Sequence, residues 1–389
     1  MVALTSPLHD AHLALGGKMV EFGGFLMPLQ YTGIIAEHIA TRTAAGLFDT
    51  SHMGEFLVTG EDAEAFLQQA LTNDLARCPP GEALYSPMCT PSGGTVDDLF
   101  VYNISGMDCA GALPARKAGH AYMVVVNAAN TPKDLAWLRR LLAEWRKEGP
   151  RETAIEDIGS GVAMLALQGP QAREILEPLG RDVGSLARFH AMLVDIRGIL
   201  ALVSRTGYTG EDGFELYTRS AHAARLWKLL LDAGKSGGLH PAGLGARDSL
   251  RLEACYPLYG HELSEEISPV EGGVGWAVRE KNPAGIGGEA LLGQKRGGAP
   301  RELIALEMER AIARQHCAVM RPDSEDDAVT IGAVTSGTFS PTLGKSIALA
   351  LTETGIVSTG DEVRVEVRER RIPARVVKRP FYAFAGGRR

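Results

Sequence analysis

Cysteine is scarce: the chain has five, Cys78, Cys89, Cys109, Cys255 and Cys317, an odd number with no Cys-x-x-Cys spacing. This argues against a cysteine-held zinc or iron–sulfur centre and fits a reducing cytoplasm. No metal is expected. Long apolar runs are also missing, since stretches such as Ala121–Val126 and 347–351 fall far short of the ~20 residues that cross a bilayer. The opening MVALTSPLHD carries neither a basic segment followed by an apolar one nor an Arg-rich amphipathic pattern, so no export or organellar signal is expected. Positive charge is short as well. The net charge is −7, and arginines stand side by side only at Arg139-Arg140, Arg370-Arg371 and Arg388-Arg389. A phosphate backbone needs clustered Lys and Arg, so nucleic acid is not an expected partner. The expectation is a cytoplasmic protein with no membrane partner.

What is present is ordinary globular material. Of 389 residues 45% are hydrophobic and 22% charged, a length that implies about two or three domains. Ile34, Ile35, His38 and Ile39 suggest one face of a helix over residues 32–45, and the alternation FDTSHMGEFLVT predicts a strand over 48–59. Within it, His52 reads more readily as a hydrogen-bonded core residue than as a ligand. Residues 61–71 and 131–148 have helical periodicity, the second with Trp137, Leu138, Leu141, Leu142 and Trp145 on its apolar face. Residues 103–119 between strands read as a surface loop. Strands and helices alternate without strict βαβ order as far as Trp276, which indicates an α+β body with mainly antiparallel sheets. Residues 281–298, rich in Asn, Pro, Gly and Lys, are a candidate junction. Beyond them, short strands at 303–306, 329–334, 347–351, 362–367 and 371–377 predict an all-β barrel or sandwich. The domain reading is therefore 1–285, with an interleaved second lobe at about 55–149, followed by 286–389.

The chemistry concentrates in residues 85–102, YSPMCTPSGGTVDDLFVY. A Thr-Pro-Ser-Gly-Gly turn between two apolar strands predicts a hairpin that carries adjacent carboxylates, Asp97 and Asp98, on its return strand. Alternate side chains face opposite ways, so one carboxylate is turned inward. An inward carboxylate is either a structural turn anchor or a reacting group. A second polar stretch, RTGYTGEDGFELY at 205–217, is a Gly-punctuated turn leading into a strand.

These stretches, with FGGFLMPLQY (22–31), GLFDTSHMGEF (46–56), VVNAAN (125–130), PAGLGARDSLRLEACYPLYGHEL (241–263) and VTSGTFSPTLGKSIALAL (334–351), resemble the T-protein family of the glycine cleavage system over nearly the whole chain. The segments are long and keep their order, which makes the match specific. The resemblance implies a three-lobed, cloverleaf-like folate-binding body followed by a C-terminal β-barrel. It also implies a reaction: the aminomethyl group on the lipoyl arm of H-protein passes its carbon to tetrahydrofolate, giving 5,10-methylenetetrahydrofolate, ammonia and dihydrolipoyl H-protein. A monomer that binds H-protein transiently is expected.

On the matching positions the resemblance assigns Asp98 the catalytic role. One-carbon transfer builds positive charge as a folate nitrogen attacks an S–CH2–N carbon, and a fixed carboxylate stabilises that charge or accepts the nitrogen's proton. Glu215 and Arg247 match contacts to the pterin's donor edge and carbonyl; read from residue types alone, they are equally a surface ion pair or, for Arg247, a partner of Asp248. Tyr85, Tyr102, Tyr208 and Tyr256 match aromatics lining the folate cavity, as do Met53, Leu57, Val125 and Asn127, with Trp276 a weaker match. Arg314 resembles an arginine at the lipoyl entrance. The chain departs from the family near Arg188, Phe189 and His190, where a tyrosine is expected, and at its end, where Tyr382 or Phe384 stands in for a terminal aromatic. Competing readings are a tetrahydrofolate-dependent demethylase and a non-catalytic folate-binding protein. The latter's relatives carry a Lys-Gly-Cys-type motif absent here, and no Gly-x-Gly-x-x-Gly follows a strand to mark a flavin domain.

Overall fold

Three sheets and a closed barrel take up the strands of the computed structural model, which describes residues 3–115, 119–280, 282, 285–309, 311–322 and 328–384. The smallest sheet pairs β1 (Leu4–Thr5), β3 (Phe25–Gln30) and β2 (Lys18–Phe22), with helix α1 (His9–Ala14) in the first connection. A six-stranded sheet runs in the order β11 (Ala191–Asp195), β12 (Leu200–Ser204), β13 (Gly213–Arg219), β10 (Val162–Gln168), β4 (Ala45–Asp49) and β14 (Leu239–Pro241). A five-stranded sheet runs β6 (Ala83–Cys89), β7 (Thr95–Asn103), β8 (Ala121–Val126), β5 (Gly54–Thr59) and β9 (Ala154–Asp157). Helices α2 (Ile34–Thr43), α3 (Ala63–Ala70), α4 (Thr131–Trp145), α5 (Ala172–Leu176), α6 (Ala223–Gly234), α7 (Leu244–Glu253) and α8 (Gly288–Gly297) connect them. Among the described pairings only β1–β3 and β4–β14 are parallel.

The chain divides into two compact units. One comprises Met1–Ser86, Asp98–Gly207 and Glu211–Arg247; the other comprises Pro87–Asp97, Tyr208–Gly210 and Asp248–Arg389. In the first unit, α5 and α6 bury Leu176, Leu226, Trp227 and Leu230 in a core with Leu165, Leu167, Phe214 and Leu216 of the six-stranded sheet. A second core gathers Leu57, Tyr102, Met123, Val125, Met164 and Tyr217. The second unit closes β15 (Arg301–Met308), β18 (Lys345–Glu353), β17 (Ala328–Ser340), β16 (Ala318–Pro322), β19 (Glu362–Val367) and β20 (Arg370–Val377) into a barrel. Leu306, Val319, Ala350 and Val365 lie in its buried core. The sequence left barrel and sandwich open, and closure of the edge strands decides for the barrel.

Several local expectations fail for identifiable reasons. The stretch 48–59 is two strands in different sheets, because the chain turns at Thr50–Met53 after Asp49 accepts the Ser51 N–H at 2.9 Å. On α2 the predicted face splits, with His38 buried and Ile34 half-buried but the other two isoleucines turned to solvent. Ile35 and Ile39 are 57% and 37% exposed while Glu37, His38, Thr41 and Arg42 are buried. Buried polar partners have overridden the hydrophobic pattern there. Residues 103–115 are not a free surface loop, since Ile104, Cys109, Leu113 and Ala115 enter the second core. The junction 281–298 holds helix α8, whose Leu291 and Leu292 pack with Cys89 and Val278. Among the described residues no helix is long and apolar enough to cross a membrane.

Two buried carboxyl groups of the first unit respond to pH in opposite senses. Burial works to raise Asp49, but the hydrogen bond and charge of His12 at 2.8 Å, with Ser6 and Ser51 as further donors, hold it below the usual carboxylate range. Its contribution to stability is present above its unfolded value near 3.8 and is lost as pH falls. Glu55 is 1% exposed and, among the described residues, neither carboxylate oxygen has a hydrogen-bond partner. Burial, with the negative charge of Asp157 adding, pushes it well above 4.5. The native state therefore holds a proton that the unfolded state releases, so stability declines as pH rises above about 4.5. Glu55→Gln is expected to gain in melting temperature relative to the parent as pH rises from about 5 to about 8. Parallel melting curves at all pH values would refute this.

Candidate active site

The first unit's candidate site is built on the pairing of β7 with β8. Phe100 lies opposite Val125, and Tyr102 opposite Met123. The next strand continues the same layers, with Glu55 opposite Val125 and Leu57 opposite Met123. Alternation puts Asp98, Phe100 and Tyr102 on one face of β7. They run from half-buried Asp98 and Phe100 to fully buried Tyr102. Asn127, one residue past β8, reaches Asp98 from the neighbouring strand. Its Nδ2 donates to Asp98 Oδ1 and to the Asp98 carbonyl, both at 3.1 Å. Tyr85 of β6 donates its hydroxyl to Asp98 Oδ2 at 3.0 Å. The carboxylate is thus held by side chains from the strand on either side, which fixes its plane. Its neighbour Asp97, on the opposite face of β7, is fully buried, so of the pair Asp98 is the one left partly accessible.

Further in, Glu215 of β13 is 6% exposed. Its Oε2 accepts from Thr206 Oγ1 at 2.5 Å and from the Tyr102 hydroxyl at 3.2 Å, and the Tyr217 hydroxyl donates to that of Tyr102 at 3.0 Å. Burial pushes the Glu215 carboxyl up, against the pull of Thr206, the Arg247 charge and Tyr102. This removes the surface-ion-pair reading of Glu215. Arg247, in α7, is half-buried. The nearby His52 is 3% exposed, its Nδ1 has no hydrogen-bond partner among the described residues, and burial aided by the Arg247 charge lowers it to about 4. It is a neutral imidazole at physiological pH, and its edge-on neighbour is Phe22. The hydrogen-bonded core role expected for it is met in burial but not in bonding at Nδ1.

An aromatic shelf adjoins these polar groups. Phe100 meets Tyr85 edge-on, lies tilted to Tyr102 and stacks on Phe189 at 6.4 Å between centroids with 14° between planes. Phe189 is 48% exposed and takes a left-handed φ of 59°. Backbone bonds on both sides, Phe189 N–H to Arg205 and Ala83 N–H to Phe189, hold that conformation. The unit therefore presents, on connected elements, a fixed carboxylate, a buried acceptor, a half-buried guanidinium, the half-buried rings of Tyr85 and Phe100 and the exposed ring of Phe189.

Comparison with known proteins decides what kind of chain carries this arrangement. Residues 8–282 match the model of the GCVT N-terminal domain, and residues 301–383 match that of the glycine cleavage T-protein C-terminal barrel domain. The chain belongs to the glycine cleavage T-protein family of aminomethyltransferases. Curated aminomethyltransferases from Desulforamulus reducens and Moorella thermoacetica are 47% and 49% identical, each over 97% of both chains. The one from Bacillus subtilis is 45% identical over 97% of this chain and 98% of its own. A crystal structure of glycine cleavage system aminomethyltransferase T from Bartonella henselae superposes with a TM-score of 0.84 at 32% identity, covering 97% of this chain and 98% of that one. Membership of this T-protein family makes the chain a transferase enzyme.

Of the residues the sequence singled out, Met53, Leu57, Val125 and Tyr102 share or adjoin the second core, and Tyr85, Asp98, Asn127, Glu215 and Arg247 join them in the first unit. In the second unit Tyr208 and Tyr256 stack on each other at 5.9 Å, and the Tyr208 hydroxyl donates to the Pro257 carbonyl. Arg314 there is exposed and donates to the Gly337 carbonyl at 3.2 Å. Trp276 is 55% exposed. Asp248, considered as a partner for Arg247, accepts two bonds from Arg251. Sequence reading missed Phe100, Thr206 and Tyr217. It registered Phe189 only as a missing tyrosine. The position of Phe100 two residues beyond Asp98 on a strand was the available signal.

If the two flanking donors orient Asp98, Asn127→Ala lowers kcat by about tenfold or more with the fold intact. Steady-state kinetics beside circular dichroism test this, and an unchanged kcat would mean that Tyr85 alone is sufficient.

Proposed function

We propose that this T-protein family member transfers the one-carbon unit of aminomethyl-lipoyl H-protein to tetrahydrofolate, with Asp98 as the catalytic residue. The observation that carries the proposal is the two-sided clamp of Tyr85 and Asn127 on a half-buried carboxylate beside an aromatic shelf. A pteridine and its benzoyl extension are flat, with a donor edge and a carbonyl. The residues present suit such a molecule: Glu215, backed by the buried Tyr102, offers an acceptor, Arg247 a cation, and Tyr85, Phe100 and Phe189 flat faces. Tyr208 and Tyr256, with Met53, Leu57 and Val125, are proposed as further folate-contacting groups, and Arg314 as the contact of the lipoyl arm. The catalytic region is taken as 1–285 with its lobe at about 55–149, and the barrel domain as 286–389.

In the reaction the C–S bond of the S–CH2–NH2 group breaks and the carbon ends between two folate nitrogens. The two N–H protons lost by the folate go one to the sulfur and one to the amine, which leaves as ammonia. Asp98 stabilises the positive charge that builds on the carbon and its nitrogens, or receives the attacking nitrogen's proton for passage to the leaving amine. The raised Glu215 carboxyl is suited to pairing with a donor edge because it is already desolvated and loses no water shell on binding.

The test is ammonia release and folate product from aminomethyl-loaded H-protein, with and without tetrahydrofolate, in the parent and in Asp98→Asn. Folate-dependent formation of methylenetetrahydrofolate is expected, with turnover falling by about two orders of magnitude or more in the variant. Folate binding without turnover of loaded H-protein, or a near-normal rate in the variant, would reject the proposal.

A further inference from the structure

Helix α2 contributes no residue to the candidate site, yet its buried Glu37 is tied to the helix that carries Arg247. Glu37 is fully buried. Its Oε1 accepts the consecutive backbone N–H groups of Tyr31, Thr32 and Gly33 at 2.5, 2.8 and 3.1 Å. Its Oε2 accepts the N–H of Gly243 at 2.9 Å. Gly243 is the residue on which α7 starts, because its carbonyl accepts the first helical bond, from the Arg247 N–H at 3.1 Å. Arg247 therefore stands one helical turn, about 5–6 Å along the axis, from the peptide that Glu37 grips. The helix start is also confined sterically, since a Cβ on Gly243 would collide with the Leu29 carbonyl of β3. On its other side the preceding Ala242 N–H is bonded to the Leu47 carbonyl of β4 at 2.9 Å.

The geometry points to Glu37 as a positioning residue for Arg247. A desolvated carboxylate at a helix N-terminus gains from the unsatisfied N–H groups and from the helix dipole. Here it spends both oxygens on backbone donors and so fixes where α7 begins relative to β3 and β4. Arg247 then projects from a fixed base, and its guanidinium meets the pterin without a search over helix positions. This rests on the proposed folate contact of Arg247. It goes beyond that contact by assigning its accuracy to a carboxylate that touches no substrate.

Glu37→Gln keeps the volume, removes the charge and turns one acceptor into a donor facing backbone N–H groups. The expected result is a rise of about tenfold in the KM for tetrahydrofolate, with kcat at saturating folate and the KM for aminomethyl-loaded H-protein held within about twofold. In an Arg247→Lys background, itself weakened toward folate, adding Glu37→Gln should have little further effect, because both changes act through one contact. Glu37→Asp, which keeps the charge but falls short of the donors, should show the same split. Arg247→Lys without effect on the folate KM would remove the reading of Arg247 and the inference with it. If Arg247→Lys weakens folate but Glu37→Gln does not, or if the two effects add fully, the inference alone falls. Failure of both Glu37 variants to fold would make Glu37 a folding requirement and equally overturn it.

Discussion

The pairing register of β7 with β8 is the constraint on which the candidate site depends. With Phe100 opposite Val125, the face of β7 carrying Asp98, Phe100 and Tyr102 looks into the first unit's second core, and Asn127 arrives beside Asp98. A slip of one residue would turn all three to the other face and present Asp97, Leu99 and Val101 instead. On its other side β7 is joined to β6 by the tight 90–94 turn. There the Thr90 N–H donates to the Gly94 carbonyl and the Gly94 N–H to Thr90 Oγ1, and Gly94 has no Cβ to strike the Glu265 carbonyl that packs against it. The geometry of the candidate site follows from strand pairing before any side-chain contact is made.

Around that register the molecule uses buried ionisable side chains as fixtures, on backbone and on other side chains. Glu37 takes N–H groups from two segments, Glu215 gathers Thr206 and Tyr102, and Arg42 pairs with Glu211 at 2.9 Å, holding the loop before β13 to α2. Such groups add little net stability when complete, but removing one partner strands the other at about 3–5 kcal/mol. Their service is to make one arrangement of the loops far better than its neighbours. A site for a flat, multiply hydrogen-bonding ligand needs that accuracy, since an ångström of play would separate acceptor, cation and aromatic face.

The second unit uses the same device. Its barrel is closed by apolar strands, and a buried Glu253 at the end of α7 accepts from Ser340 and Thr342 of the barrel connection. Arg251, likewise buried, is satisfied by Asp248, Glu262 and Ser336. One helix thus carries Arg247 on its first turn and barrel-binding side chains on its later ones.

Residue order alone is enough for the hairpin with its paired carboxylates, the antiparallel character of the sheets, the strand-rich C-terminal region and, through long ordered motifs, the family. These are properties of alternation, turn chemistry and residue order, which are local. Tertiary structure alone decided that the strand expected over 48–59 is broken between two sheets and that α2 buries Glu37 and Arg42 while exposing Ile35 and Ile39. It also decided that Phe189 stacks on Phe100. Each of these turns on a partner distant in the chain, such as Gly243 for Glu37, Glu211 for Arg42 and β7 for Phe189. Periodicity records which side of an element is apolar, but it cannot record that a distant polar group will make the other side the one worth burying.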